Sequence, residues 1–554
     1  MKKRKTDPVS WLMLITGAIL FLPFLGKVHL FDWDEINFAE CAREMLTAKQ
    51  YFLVTINYLP FWEKPPLFIW MQALSMKIFG VCDYAARFPN ALCGMAALPL
   101  LYHAGKIFKD RTFGILWALA YMGSLLPFFY FKSGIIDPWF NFFIFTGIYF
   151  FIRYTLGQKG IPKVSPYKWV TLSALCIGLA VLTKGPVGFL IFFISALVYM
   201  VMDKGARFFN IKHGAVFILI FTGTGGSWFL LEFLTGHRNL IVEFIQYQIR
   251  LLKTGDSGHG GPFYYHLVVL LFGCFPASVL AIRGIFSMTQ NDEKLKTVSS
   301  WMRVLFWVVL IMFSLVKTKI IHYSSLCYYP LSYFAALVLY RFISGHLSWN
   351  RWMGWGLGII GFIIGIAIFA LPVAGMNLNY ILSSGIIKDP FVAANLQAEV
   401  HWSYWYCLVG LFFISSVTTA LLLFRKSNYK AATLTLFGST IVTTFSFMVL
   451  ITPKIEQYTQ EAAVEFYENL QNKDVYVATL GYKSYVQYFY SREQPLHNPK
   501  GDDEGWLLDG NIDKPAYFSS KITSADEYLK EYPSLNKLYS KNGFVFFVRS
   551  PPVH

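Results

Sequence analysis

FDWDEINFAECAREML, residues 31–46, and FWEKPP, residues 61–66, form a polar block between two strongly apolar flanks. Asp32, Asp34 and Glu35 follow directly on the first hydrophobic segment. Glu40, Arg43 and Glu44 come at helical spacing, and Glu63-Lys64-Pro65-Pro66 closes the block. The chain is 55% hydrophobic and only 14% charged, whereas soluble domains carry about 25% charged residues. Ionisable groups gathered so densely in so apolar a chain read as the polar mouth of a membrane-embedded active site.

Outward from this block, apolar runs of about 20 residues, the length that crosses a bilayer, recur from end to end. They predict thirteen spans, at about 10–26, 87–106, 113–131, 139–156, 168–183, 187–202, 214–234, 264–282, 302–316, 321–340, 352–374, 403–424 and 432–451. The runs are continuous rather than alternating, which excludes a β-barrel. MKKRK followed by an apolar run with no small-x-small cleavage site reads as an uncleaved first span. Seven scattered cysteines without a C-x-x-C pair read as small buried hydrophobes.

The net charge of +16 is explained by sidedness rather than by a nucleic-acid partner. Every second loop is basic: Lys2–Lys5, Lys106–Arg111, Lys159–Lys168, Lys204–Lys212, Arg283–Lys296, Arg341–Arg351 and Arg425–Lys430. By the positive-inside rule that set, with the N-terminus, is cytoplasmic. The alternate loops, at about 27–86, 132–138, 184–186, 235–263, 317–320 and 375–402, are then external, as is everything after Thr452. The tail from Lys454 to His554 alternates an amphipathic helix (IEQYTQEAAVEFYENLQ) with short apolar strands (DVYVATL, PAYFSS, GFVFFVRS). That alternation predicts a small α/β domain outside the cytoplasm, over residues 454–554, behind a membrane domain over 1–453.

The unusual residues collect in the external loops. Asp34 is placed to cap the helix that starts near Ile36. The same carboxylate, in a partly dry site and beside Glu35, can take a proton from an acceptor or orient it. Lys64, held by two prolines, is a fixed point charge suited to phosphate, and LFIWMQALSMKIFG after it reads as an interfacial helix. Asp137 in SGIIDPWF and Lys184 in TKGPVG sit at outer span ends, where a lysine also snorkels. Lys317, Lys319, His322 and Tyr323 form another outer cluster of donors. The glycine-rich loop RLLKTGDSGHGGPFYYHL, with Arg250, Lys253, His259 and His266, is expected to act as a mobile lid.

D-E-I-N-F-A-E, W-E-K-P-P, the D-P after the third span, L-T-K-G-P-V-G, H-G-G-P-F-Y-Y and K-T-K-I-I-H-Y occur in this order. Over about residues 10–450 they resemble the aminoarabinose transferases of lipid A and, more widely, the polyprenyl-phosphate-sugar-dependent glycosyltransferases that include protein O-mannosyltransferases. The resemblance implies a GT-C fold in the bacterial inner membrane, with a periplasmic C-terminal domain. It implies transfer of a sugar from undecaprenyl phosphate to an acceptor such as lipid A, without a nucleotide cofactor. Asp34 and Asp137 then match the family's catalytic carboxylates, with Glu35 beside the first. Lys64 matches the lysine that holds the lipid phosphate, with Lys184, Lys317, Lys319, His322, Tyr323 and Arg250 around the donor. Glu63 and His259 match a metal site, zinc and structural. Asn37 stands where the family usually has arginine.

The chemistry so implied breaks the bond from the anomeric carbon to the lipid phosphate, which needs positive charge at the leaving oxygen. A hydroxyl acceptor, as in protein O-mannosylation or another envelope-glycan transfer, makes Asp34 a base. A phosphate acceptor on lipid A has no proton to lose and leaves Asp34 a positioning role. The competing class is a polytopic transporter, which places its charges near the midplane and repeats broken helices in matching halves. Here the charges lie at one face and no such repeat is evident.

Overall fold

The computed structural model describes residues 7–160, 165–203, 210–254, 260–287, 292–495 and 498–552. Lys2, Lys3, Arg4, Lys5, Lys163, Lys204, Arg207 and His259, named above, lie outside the described residues. Among the described residues, seven helices are long and apolar enough to cross a membrane: Asp83–Phe108, Pro166–Lys184, Glu293–Leu315, Ile321–Ile343, Arg351–Met376, Tyr404–Arg425 and Tyr429–Thr459. Two bent pairs raise that to nine. Ile211–Gly225 with Ser227–Leu234 bends by 53°, and Tyr265–Gly273 with Ala277–Ser287 by 117°. The second pair falls where a straight span at 264–282 is expected. Pro276 stands in the break, and a proline there has no N–H to carry the helical ladder onward. Pro8–Phe21, Leu67–Phe79 and Val187–Met202 are shorter apolar helices.

Helices pack closely because small residues meet where they cross. A Cβ on Gly105 would lie 2.5 Å from the Cα of Gly114, so Asp83–Phe108 and Arg111–Met122 touch backbone to backbone. Around that crossing the core is aromatic, with Trp117 fully buried against Phe113, Phe145 and Tyr333.

The first long loop, expected to be external, folds into the helix Asp34–Ala48, a two-stranded hairpin and the helix Leu67–Phe79. Strands β1 (Thr55–Ile56) and β2 (Leu59–Pro60) turn through Asn57 and Tyr58, both left-handed at φ 51° and 57°. This two-residue turn matches the twist of a hairpin. The tail carries a four-stranded sheet of order β3-β4-β6-β5. Strand β3 (Tyr476–Leu480) runs parallel to β4 (Ala516–Lys521), which pairs antiparallel with β6 (Phe544–Arg549). The edge strand β5 (Asn536–Lys541) is an addition to the sequence reading. It is exposed along its whole length and has no apolar face to announce it. The amphipathic segment after Lys454 forms two helices, Thr452–Thr459 and Glu461–Glu468, where one is expected.

Tail and first loop share one hydrophobic core, in which Leu30, Ile36 and Val54 pack with Phe466, Tyr485, Phe489 and Phe546. Polar contacts pin the same junction. The Tyr490 hydroxyl accepts from the Leu30 N–H and donates to Asp83, both at 2.7 Å. His29 Nδ1 lies 2.8 Å from Glu456, a contact that outweighs burial and lifts the imidazole pKa to about 9.

Candidate functional site

Asp34 is the first residue of its helix, and the cap position falls on Trp33 with no side-chain cap bond. The expected capping role is therefore corrected: the Asp34 carboxylate does not close on its own helix. It faces His322, whose Nε2 lies 3.6 Å from Asp34 Oδ2 and 3.6 Å from Asp137 Oδ2. Asp137 accepts from Lys184 Nζ at 2.7 Å through its other oxygen. Four segments far apart in sequence thus supply one chain of charges, Asp34–His322–Asp137–Lys184. The Asp137 side chain is 3% exposed and that of Asp34 is 36% exposed, so Asp34 is the carboxylate open to an acceptor. Separations of 3.6 Å are beyond hydrogen-bond range, and such contacts tighten when a substrate fills the site.

Lys184 sits between the rings of Phe140 and Tyr323, 5.7 Å and 5.0 Å from their centroids. Lys64 lies 3.7 Å from Glu63 and 5.1 Å from the Tyr247 ring. Its charge, like those of Lys184, Asp137 and Asp34, is felt at His322. Tyr247 belongs to the amphipathic helix Arg238–Lys253, which buries Leu240, Phe244 and Tyr247 over the cleft. Gly185 follows Lys184 at φ 99°, and a Cβ there would lie 2.6 Å from Phe244 Cζ, so only glycine lets this helix close on the lysine. Arg250 stacks 5.2 Å from the same Tyr247 ring. On either side of residues 255–259, the described parts of the segment expected to be a mobile lid are tied to Thr318. Gly260 bridges Thr318, and the Thr318 hydroxyl donates to Thr254 O at 2.8 Å.

Other expected site residues are placed elsewhere. Glu35 faces away from the cleft. Arg87 donates to it twice, at 3.0 and 2.7 Å, and the N–H groups of Phe31 and Gly134 donate as well. Burial alone would raise the Glu35 pKa, but Arg87 outweighs it and holds the group below the usual range. Lys319 is also turned inward, its ammonium donating to the carbonyls of Phe313, Ser314 and Val316 at the end of Glu293–Leu315. Lys317 is exposed, and His266 is buried beside the Ser324 hydroxyl at 3.1 Å. Asn37 is buried too, accepting only a long contact from Cys41.

For zinc, His259, the expected partner of Glu63, lies outside the described residues, and no group of three His, Cys, Asp or Glu able to hold a metal occurs among the described residues. Lys64 beside Glu63 also opposes a cation.

Three participants are missing from the sequence reading: Arg87, Tyr247 and Ser484. A lone arginine at the start of a span signals a buried acidic partner, so Arg87 was open to detection. Tyr247 is one aromatic in an ordinary amphipathic pattern. Ser484, which bonds Asp32 from the tail, carries no local signal.

A sequence model of the dolichyl-phosphate-mannose-protein mannosyltransferase family matches residues 63–228. The undecaprenyl phosphate-alpha-4-amino-4-deoxy-L-arabinose arabinosyl transferase of Enterobacter sp. (strain 638) is 26% identical over 421 residues, 73% of this chain and 72% of that protein. Its counterpart in Pectobacterium carotovorum subsp. carotovorum (strain PC1) is 25% identical over 73% of this chain and 74% of that protein. Among solved structures, ArnT from Cupriavidus metallidurans bound to undecaprenyl phosphate superposes with a TM-score of 0.75 over 98% of each chain, at 17% identity. That likeness establishes the GT-C fold. In sequence and architecture the chain is a membrane glycosyltransferase similar to the aminoarabinose transferases, as the order of its motifs implies.

Proposed function

We propose that the protein transfers a sugar from an undecaprenyl-phosphate-linked donor to an acceptor at the periplasmic face of the inner membrane, with lipid A phosphate as the acceptor. The observation that carries this reading is the convergence of Asp34, His322, Asp137 and Lys184, with Lys64 beside them, from four loops of one predicted sidedness. In the reaction the anomeric C–O bond to the lipid phosphate breaks and a bond from an acceptor oxygen to that carbon forms. Lys64 and Lys184 offset the charge that grows on the leaving phosphate. Lys184 is half-neutralised by Asp137, which leaves Lys64 the stronger anchor for the phosphate. In this reading thirteen spans place the N-terminus in the cytoplasm and residues 454–554 in the periplasm, as a small α/β domain that shares its core with the first loop.

A second reading, with a hydroxyl acceptor, is favoured by one contact. An accessible Asp34 beside His322 is a carboxylate–imidazole pair able to take a hydroxyl proton. The deciding experiment supplies purified protein with labelled undecaprenyl-phosphate sugar and either lipid A or a membrane protein extract. Label on lipid A supports the first reading and label on protein the second. Full transfer by an Asp34→Ala/Lys64→Ala double variant overturns the site, and cysteine labels at 34 and 184 on opposite leaflets overturn the sidedness.

A further inference from the structure

A cavity of about 510 Å³ opens in the tail, between the carboxyl end of β3, the segment 481–488 and the hairpin turn at Asn57. Its size is that of a small-molecule site. The position also fits, since ligands of open α/β sheets sit beyond the carboxyl ends of parallel strands, and β3 is parallel to β4.

Three buried side chains lining this cavity hold polar atoms without a partner: Asn57 Oδ1, Gln487 Oε1 and Glu493 Oε2. They are 7%, 3% and 8% exposed. Buried polar groups are nearly always paired with protein or water, so three unpaired atoms on side chains that line one cavity mark its wall as a place where a polar guest gains contacts. The amide nitrogens are already committed, Asn57 Nδ2 to Asp502 and Gln487 Nε2 to Ser484 O, so both amides offer an acceptor. Burial and the nearby Glu40 push the Glu493 carboxyl well above its usual pKa, which favours the protonated form, a form that can both give and accept. The other ionisable lining residues are Asp502 and Glu504 against Lys483, a balance that disfavours an anion such as a lipid phosphate. Tyr482, Tyr485, Tyr488 and Tyr528 complete the walls. Tyrosine rings pair apolar faces with a polar edge, as C–H faces and hydroxyl edges require.

We infer that this cavity is a saccharide-binding pocket, distinct from the transfer cleft. Its wall is also a wall of that cleft. Ser484 donates to Asp32, and the Tyr485 ring meets Trp33 edge-on at 4.8 Å, one residue before Asp34. The saccharide is either the sugar backbone of the acceptor, a source that rests on the transfer reading, or a separate envelope glycan.

The test uses full-length protein in detergent micelles and saturation-transfer NMR, with a glucosamine disaccharide and inositol phosphate as probes. Expected is transfer to the disaccharide and none to the anion. Affinity should fall about tenfold, the loss of one good polar contact, in Gln487→Leu and in the rim variant Tyr528→Leu. Displacement of the disaccharide by lipid A is the expected result for an acceptor sugar, and binding unaffected by lipid A is expected for a separate glycan. The Asp34→Ala/Lys64→Ala double variant should abolish sugar transfer while leaving disaccharide binding intact, which separates this inference from the transfer reading. No transfer to the disaccharide in the wild type, or equal transfer in both pocket variants, overturns it.

Discussion

The Glu35–Arg87 pair decides whether Glu35 builds the site or acts in it. Both side chains are 5% exposed. Arg87 spends five bonds in one place: two on Glu35 and one each on the carbonyls of Leu25, Val28 and His29. Glu35→Ala removes two of those five. It also strands the N–H of Phe31, three residues before Asp34, and of Gly134, three before Asp137. Removing one partner of a buried ion pair costs about 3–5 kcal/mol, and two freed backbone donors place the variant at the upper end of that range. Arg87→Leu should cost about as much by leaving Glu35 uncompensated. The double variant buries no lone charge, so it should recover a coupling energy of about 2–3 kcal/mol. Chemical unfolding of the four proteins in one detergent, followed by tryptophan fluorescence, measures the cycle. Additive single losses refute the reasoning. So does a Glu35→Gln variant that unfolds like the wild type yet transfers no sugar, because that residue would then be acting on substrate.

Asp34→Asn should lower turnover about a hundredfold or more if the acceptor is a hydroxyl, the usual worth of a general base. It should have a much smaller effect if the acceptor is a phosphate, so turnover measured on each acceptor reads the mechanism directly. Lys64→Ala removes a charge-assisted contact to the donor and should raise its KM about tenfold or more, with the unfolding midpoint unchanged because Lys64 is tied only to Glu63 and the Tyr247 ring. Glu44 is buried next to Glu40, and both effects raise its pKa well above the carboxylate range. The unfolded chain loses that proton near pH 4.3, so between there and the raised value the folded state holds the extra proton. Stability then falls as pH rises through this window. Glu44→Gln should flatten the slope, and an unchanged slope in unfolding midpoints from pH 5 to 8 counts against it.

Much of the site was legible because charge is rare in this chain. Asp34, Lys64, Asp137, Lys184 and His322 each stand out as ionisable groups beside an apolar run, and sidedness put them on one face before any coordinates. The order of contact was not legible. His322 reads as one of several donors in KTKIIHY, and nothing local reveals that it lies between two carboxylates contributed by residues far earlier in the chain. Edge strand β5 went unread although Asn542-Gly543, a strong hairpin turn signal, joins it to β6.

The confusion of Glu35 with Asp34 has a geometric origin that applies to any dense charged block. Successive residues on a helix point about 100° apart, so two adjacent acids cannot both face one cleft. Composition counts them together, and only the partner tells them apart. Asp34 turns toward His322 and the open cleft, whereas Glu35 turns toward Arg87, which also reaches the backbone at Leu25, Val28 and His29. Lys317 and Lys319 separate in the same way, one exposed and one capping a helix end. A polar residue in such a block earns a catalytic reading only when its helical phase leaves it without an internal partner. By that criterion Asp34 is the carboxylate to test first, Glu35 is a structural one, Lys319 is turned from its expected place at the donor phosphate, and Asp137 is the intermediate case: one oxygen fixed by Lys184, the other buried without a hydrogen bond and facing His322.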